Sequence, residues 1–337
     1  MPSYVADIGI DFGSDNIRVY MPRKGVVIDE PSVVVFHRET ELMLDVGDRG
    51  RELLLADPAS CVPVRPLIHG SIRRYDAALL LMKRIIWRVA GGRGFAKPRV
   101  AVAVPSCLSD VEARAWITVA TEAGARGVML LEAPIAAAMG AEMDILDARA
   151  QMVIDVGAGV TDIGVVAVGE IVLSDRVNTG GRSMNEAIQK HVRSEVGLVL
   201  GDMATEDAKI KVAVARDGFE PRCALVHGRD LKTGLPQQAI LTTEDVAGAI
   251  GGKIEEIVEG IRCVLRRVPV ELVMDISNCR VVLTGGASRM RGFSDIVSER
   301  LGMPVRTARD PEFCVIRGTG EFLSNADPRM TKAIKSV

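Results

Sequence analysis

Two passages of this 337-residue chain carry the residue types best suited to chemistry: VADIGIDFGSDNIRVY and MVIDVGAGVTDIGVVA. Both follow one plan, an apolar strand, Asp-x-Gly, a polar turn and a second apolar strand. The plan sets Asp11 before Gly13, and Asp155 before Gly157 and Gly159, so each carboxylate would stand at a strand end beside a tight turn. Glycine has no Cβ and tolerates positive φ, which lets backbone N–H groups close on an oxyanion. If the two turns face each other across a cleft, they can grip a polyphosphate from both sides, with Asp11 and Asp155 holding the hydrated Mg²⁺ that offsets its charge. A single Asp-x-Gly is usually an ordinary hairpin with Asp as turn residue. A second copy 144 residues further on changes that weighting.

A third turn, VVLTGGASRMRG, places Thr284, Gly285, Gly286 and Ala287 after a buried strand and before a helix, whose N-terminus would offer N–H groups to a ligand. A ligand-free strand-to-helix connection explains Gly-Gly almost as well. No Walker GxxxxGK[ST] and no G-x-S-x-G elbow occur, which disfavours a P-loop nucleotidase and a hydrolase triad.

The elements that must position these turns are legible as apolar runs at 4–12, 99–105, 152–156 and 280–283, separated by helix-like stretches, an alternation that predicts α/β layers. Helices are expected at 109–123, which opens on Ser109, and at 183–196, with Met184, Ile188 and Val192 on one face. A third stretch, 243–268, carries Val246, Ile250, Ile254, Ile257, Ile261 and Leu265 at helical spacing. It reads as core cover, with Gly251 and Gly252 marking a helix start or a hinge. Loops are expected at 90–98, 216–221 and 230–236, and a loosely held tail after Ser324.

Length and composition bound the rest. A chain of 337 residues exceeds what one core usually serves, so two domains or a duplicated one are expected. Lys and Arg total 42 against 44 Asp and Glu, leaving no positive excess to drive nucleic-acid binding. The 48% hydrophobic and 4% aromatic content suits buried parallel strands covered by helices. Six scattered cysteines, without CxxC pairs, read as reduced core residues. The N-terminal residues enter a strand pattern at once, which predicts neither a signal peptide nor an amphipathic anchor and hence a cytoplasmic protein. No run approaches the roughly 18 apolar residues of a membrane span.

In this order, the three turns resemble the phosphate-one, phosphate-two and adenosine motifs of the actin, sugar kinase and heat-shock chaperone superfamily, and within it the MreB family of bacterial actins. The resemblance is carried by GVVIDEPSVVV from Gly25, VPVRPLIHGSI from Val62, VAVPSCLSDVEARA from Val102, EAPIAAAMGA from Glu132, GRDLKTGLP from Gly228, VLTGGASRMRG from Val282 and DPEFCVIRGTG from Asp310. It spans nearly the whole chain. The segment GRDLKTGLP narrows it most, being largely a mark of MreB and its close relatives.

The resemblance implies an α/β fold of duplicated actin-like (ribonuclease H-like) domains around a central nucleotide cleft, with four subdomains. Domain I would comprise 1–141 plus 314–337, with a small subdomain near 33–75. Domain II would comprise 142–313, with a small subdomain near 181–245. It also implies ATP with Mg²⁺ at the base of the cleft. Asp11, Gly13, Ser14 and Asn16 match the first phosphate loop, and Asp155, Gly157, Ala158, Gly159, Thr161 and Asp162 the second. Glu206 and Lys209 fall near the sugar and base, although spacing alone makes them an i, i+3 pair on a solvated helix face. Gly285, Gly286 and Ala287 fall at the adenosine group. Mg²⁺ would be held through water by Asp11 and Asp155, and Glu132, Asp155 and Thr161 match the catalytic side.

The implied function is a filament that maintains cell shape by organising wall synthesis. Its partners would be further copies of itself, the inner face of the membrane and membrane-bound morphogenesis proteins. A filament for organelle positioning or segregation is the alternative. A small-molecule kinase of the same superfamily would need a carboxylate base at the substrate side, and none is evident. A membrane contact could come from GGRGFAKPR, where Phe95 stands among Arg93, Lys97 and Arg99, although such segments are more often plain surface loops.

Three departures from the family pattern bear on mechanism. Ala133 stands where MreB proteins usually have the second Glu of Glu-Glu-Pro, and Val160 where they have the first Thr of the second loop. Loss of a water-orienting group typically costs about 10² to 10⁴ in rate, so ATP binding with slow hydrolysis is expected unless Glu132 compensates. Asp15 adds negative charge beside a loop expected to receive phosphate.

Overall fold

The computed structural model describes residues 7–90, 97–279, 281–325 and 334–336. Its frame is two sheets of matching topology. In the first, the antiparallel strands Gly25–Pro31, Asn16–Met21 and Ile8–Phe12 are followed by the parallel strands Arg99–Val104 and Gly127–Glu132, with Ile334–Ser336 at the edge. In the second, Glu170–Val177, Thr161–Ala167 and Gln151–Val156 are followed by Val281–Thr284 and Val305–Thr307. Strands such as RVAVAV and TDIGVVA are buried almost throughout, as expected of sheets covered on both faces.

Two helices, Ala133–Gly140 and Cys314–Asn325, lie between the sheets and share one apolar core with Ala103 and Leu131 of the first sheet and Val153, Val166 and Val282 of the second. The helices meet backbone to backbone. A Cβ added at Gly140 would lie 1.8 Å from the Cys314 carbonyl oxygen, and one at Gly318 would lie 1.8 Å from that of Ala136, so neither position admits a side chain without separating the sheets.

Each half also carries a small three-stranded sheet: Met43–Val46, Val34–His37 and Cys61–Val64 in the first, and Leu198–Leu200, Cys223–Asp230 and Pro236–Thr242 in the second. The GRDLKTGLP segment forms the hairpin turn of the latter. There Asp230 Oδ1 accepts bonds from the N–H groups of Lys232 (3.0 Å) and Thr233 (2.6 Å).

Helix Asp110–Glu122 starts where Ser109 predicts, through a capping box. Ser109 Oγ accepts from Glu112 N at 3.3 Å, and Glu112 Oε2 accepts from Ser109 N at 3.0 Å. The helix expected from 183 begins at Gly181, runs to His191 and continues as a π-turn, Val192–Val196, with Met184, Ile188 and Val192 buried.

Several expectations are corrected. Gly251 and Gly252 neither start nor hinge a helix, because Thr243–Arg267 runs through them unbroken. Both glycines are exposed, and the buried face Val246, Ile250, Ile254, Ile257 and Ile261 outweighs their cost of about 1 kcal/mol each. The cysteines are not all core residues: Cys61 and Cys314 are buried, but Cys107, Cys223 and Cys263 are exposed. Beyond Ser324 the chain is not uniformly loose, since Ile334–Ser336 pair with Gly127–Glu132 and supply partners to its otherwise open edge. Arg93 and Phe95 of the membrane-loop candidate lie outside the described residues. Among the described residues, no helix is long and apolar enough to cross a membrane.

Candidate functional site

The two Asp-x-Gly passages form equivalent hairpins. Gly13 N donates to Asn16 O at 3.0 Å and Gly157 N to Val160 O at 2.9 Å, each closing the turn at the same place. Each turn follows the central strand of its sheet, Ile8–Phe12 or Gln151–Val156, and the helix pair between the sheets sets the two turns face to face. They touch: a Cβ added at Gly159 would lie 2.5 Å from Ser14 Oγ. His69 Nδ1–H, just before the second turn's neighbour Gly70, donates to Gly159 O at 3.0 Å.

Between the turns lies a cavity of about 660 Å³, within the range of small-molecule sites. Asp11, Gly13, Ser14 and Asn16 line it from the first turn, and Asp155, Gly157, Ala158 and Gly159 from the second. Glu206, Lys209, Gly285, Gly286 and Ala287 complete the wall. The third turn is tied to the second, because Thr284 Oγ1 donates to Asp155 Oδ1 at 2.9 Å. Gly285 has φ +81°, and a Cβ there would lie 2.3 Å from Val156 O. The expected helix start after Thr284 is instead the 3₁₀ turn Gly286–Arg289. Gly285 N–H is committed to Pro311 O at 2.9 Å, so it does not face a ligand.

Three acids share the floor. Burial pushes Asp11 up to about 6, against the pull of Arg18 at 3.7 Å. Burial and repulsion from Asp162 push Asp155 up to about 7, although Thr284 holds it down. Burial likewise raises Asp162 to about 6, against the bonds it accepts from Ser106 N (3.0 Å) and Ser106 Oγ (2.9 Å). Carboxylates driven towards neutrality by burial and by one another suit a cation between them. Carboxylates at the floor of a cavity with room for water are a donor set that would fit Mg²⁺, which takes one or two carboxylates and keeps several waters.

Comparison with known proteins places this arrangement. The MreB/Mbl protein family model matches residues 5–331. The cell shape-determining protein Mbl of Bacillus cereus is 34% identical over 332 residues, covering 98% of this chain and 100% of that protein. The chain belongs to the MreB/Mbl family. Cell shape-determining protein MreB of Haemophilus influenzae is 37% identical over 328 residues, 95% of this chain and 93% of that one. The crystal structure of MreB5 of Spiroplasma citri bound to ADP superposes with a TM-score of 0.90 at 28% identity, covering 96% of this chain and 98% of that one. The fold is that of a bacterial actin.

In this MreB/Mbl member, two residues matched to the catalytic side do not reach the cavity. Thr161 is fully buried and its Oγ1 donates to Thr179 O at 2.8 Å, so strand alternation aims it into the protein. Glu132 ends its strand and precedes helix Ala133–Gly140, and the wall at that point is Ala133. Glu132 lies close enough to Asp162 to raise that group's pKa, but does not line the cavity.

Of the Glu206–Lys209 pair, the glutamate is part-exposed and the lysine is buried. Lys209 is 8% exposed, and its Nζ donates to Glu206 Oε2 (2.8 Å) and Gly181 O (2.9 Å). Asn185 Nδ2 holds Glu206 Oε2 at 2.6 Å. Sequence reasoning missed Arg18, Ser106 and Arg182. Arg18 was findable, because it sits at the position in the first hairpin that Asp162 holds in the second. Ser106 and Arg182 reach the turns only through the tertiary fold.

Proposed function

We propose that this chain is an ATP-binding bacterial actin that polymerises into filaments and maintains cell shape by organising wall synthesis. One observation carries the reading: two equivalent glycine turns, 144 residues apart in sequence, face each other across one cavity with Asp11 and Asp155 at its floor. The turns would receive the phosphates of ATP, Asp11 and Asp155 would hold Mg²⁺ through its waters, and Glu206 with Lys209 would face the sugar. Support comes from the ADP complex of MreB5 and from the names of the Mbl and MreB relatives. Closure of the cleft on ATP would favour contacts between successive copies only as far as the closed form binds ATP better.

Hydrolysis is slow in this reading. Ala133 and Val160, the two positions that depart from the family pattern, both line the cavity, and neither side chain can orient a water. Negative-stain microscopy of the purified chain tests the polymer: filaments should appear with ATP and Mg²⁺ and be absent without nucleotide. Monomers alone across salt and lipid conditions, together with phosphoryl transfer to a small molecule, would favour the kinase instead.

A further inference from the structure

The negative charge of Asp15, at the tip of the first turn, is fully met. Asp15 Oδ1 accepts from Arg182 Nη2 and, at 3.3 Å, from Arg65 Nη1. Arg182 Nη2 also donates to Ser14 O at 2.8 Å. Arg65 Nη2 reaches Asp202 Oδ2 at 3.3 Å, and Asp202 Oδ1 accepts from Gln189 Nε2 at 3.1 Å. Two arginines and two aspartates thus form a neutral chain from the first half of the molecule to the second.

Arg182 is the link that matters most. It is the second residue of helix Gly181–His191, and the start of that helix is bonded to the second turn: Gly181 N donates to Gly157 O at 3.0 Å and Arg182 N to Ala158 O at 2.8 Å. Its guanidinium reaches across to the first turn. One residue therefore holds both phosphate-facing turns, by its backbone on one side and its side chain on the other. The same helix carries Asn185, which holds Glu206, and Gly181, whose carbonyl holds Lys209. Its position is coupled to both ends of the cavity.

Charge-assisted bonds to a partly buried guanidinium outlast surface pairs. The Arg182 side chain is 21% exposed, against 38% for Arg65 and 70% for Asp202. Among the described residues the buried Nε of Arg182 has no hydrogen-bond partner, so the side chain is held by its tip alone and can release without breaking further bonds.

We infer that Arg182 and Asp15 form a latch that keeps the two turns closed on bound nucleotide and sets how fast nucleotide leaves, with Arg65–Asp202 as a weaker outer clasp. Arg182 is a positioning residue, and Asp15 is its acceptor. The inference rests on the reading of the cavity as an ATP site.

The test is stopped-flow release of a fluorescent ATP analogue, preloaded with Mg²⁺ and chased with unlabelled ATP, on the full chain. Arg182→Ala and Asp15→Asn should each release about tenfold faster than the natural chain, and the double variant no faster than either alone. Arg65→Ala should change release by less than about threefold. Raising ionic strength from about 0.05 to about 0.5 M should speed release from the natural chain but leave Arg182→Ala almost unchanged, a readout that needs no comparison of folding between variants. Natural release rates in Arg182→Ala, or additive acceleration in the double variant, would overturn the latch while leaving the ATP site standing. Failure of the natural chain to bind the analogue would instead overturn the ATP reading, and the latch with it.

Discussion

The two glycine hairpins have the same backbone and opposite electrostatics. Across the strand pair from Asp11 stands Arg18, whereas across from Asp155 stands Asp162. One acid is paired with a cation and the other with a second acid, so that Arg18 opposes the upward push of burial on Asp11 whereas Asp162 adds to it on Asp155. The turn tips differ in the same way. Gly159 packs beneath Ser14, while its counterpart Asp15 pairs with two arginines. The two copies share the geometry that presents N–H groups and differ in charge: the first sets a cation of its own hairpin beside its acid, and the second sets another acid there.

Exchanging these features between hairpins gives the sharpest tests. The largest effect is expected from Gly159→Asp, which gives the second turn the tip of the first. Its Cβ would enter Ser14 Oγ and its charge would face phosphate, so calorimetric ATP affinity should fall by more than about a hundredfold. Asp162→Asn comes next. Asn Oδ1 can still accept from Ser106, so the change removes one negative charge from the floor and little else. It should cut the gain in ATP affinity that Mg²⁺ provides by about tenfold, with smaller loss when Mg²⁺ is absent. If Asp162→Asn kept the full Mg²⁺ dependence, the contrast between the hairpins would carry no functional weight.

Arg18→Ala should weaken ATP binding less, by a factor of about three to ten. It strips Asp11 and Asp29 of a shared cation but leaves the turn intact. The smallest effect concerns a contact between the halves. Glu112 accepts from Ser71 Oγ at 2.6 Å and from Ser109 N at 3.0 Å, and these bonds, Ser71 first, hold its carboxyl down at about 2, with a smaller pull from Arg176 of the other half at 4.0 Å. A depressed folded pKa adds stability above the unfolded value and loses it as pH falls through the folded one. Glu112→Gln should therefore melt lower at neutral pH, by about 1 kcal/mol after solvent screening, and the difference should vanish between about pH 4.5 and pH 2.

Much of this was open to reading in the chain itself. Asp11, Asp155 and their glycines announce paired turns because residue type and spacing determine local backbone, and the RVAVAV and TDIGVVA runs announce buried strands because apolar runs without charge cannot face water. The helix Thr243–Arg267 shows where such reading fails: two adjacent glycines argue for a break, and only the packing of one face overrules them.

Sequence by itself settled the duplication, the three turns and the family they belong to, since each depends on neighbours along the chain. Tertiary structure alone decided that Thr161 and Glu132 stand back from the cavity, that Lys209 is buried, and that Arg182 crosses from one turn to the other. Those outcomes turn on which partners a side chain meets once the chain is folded, from Thr179 against Thr161 to Asp15 against Arg182, and no local pattern names the partner.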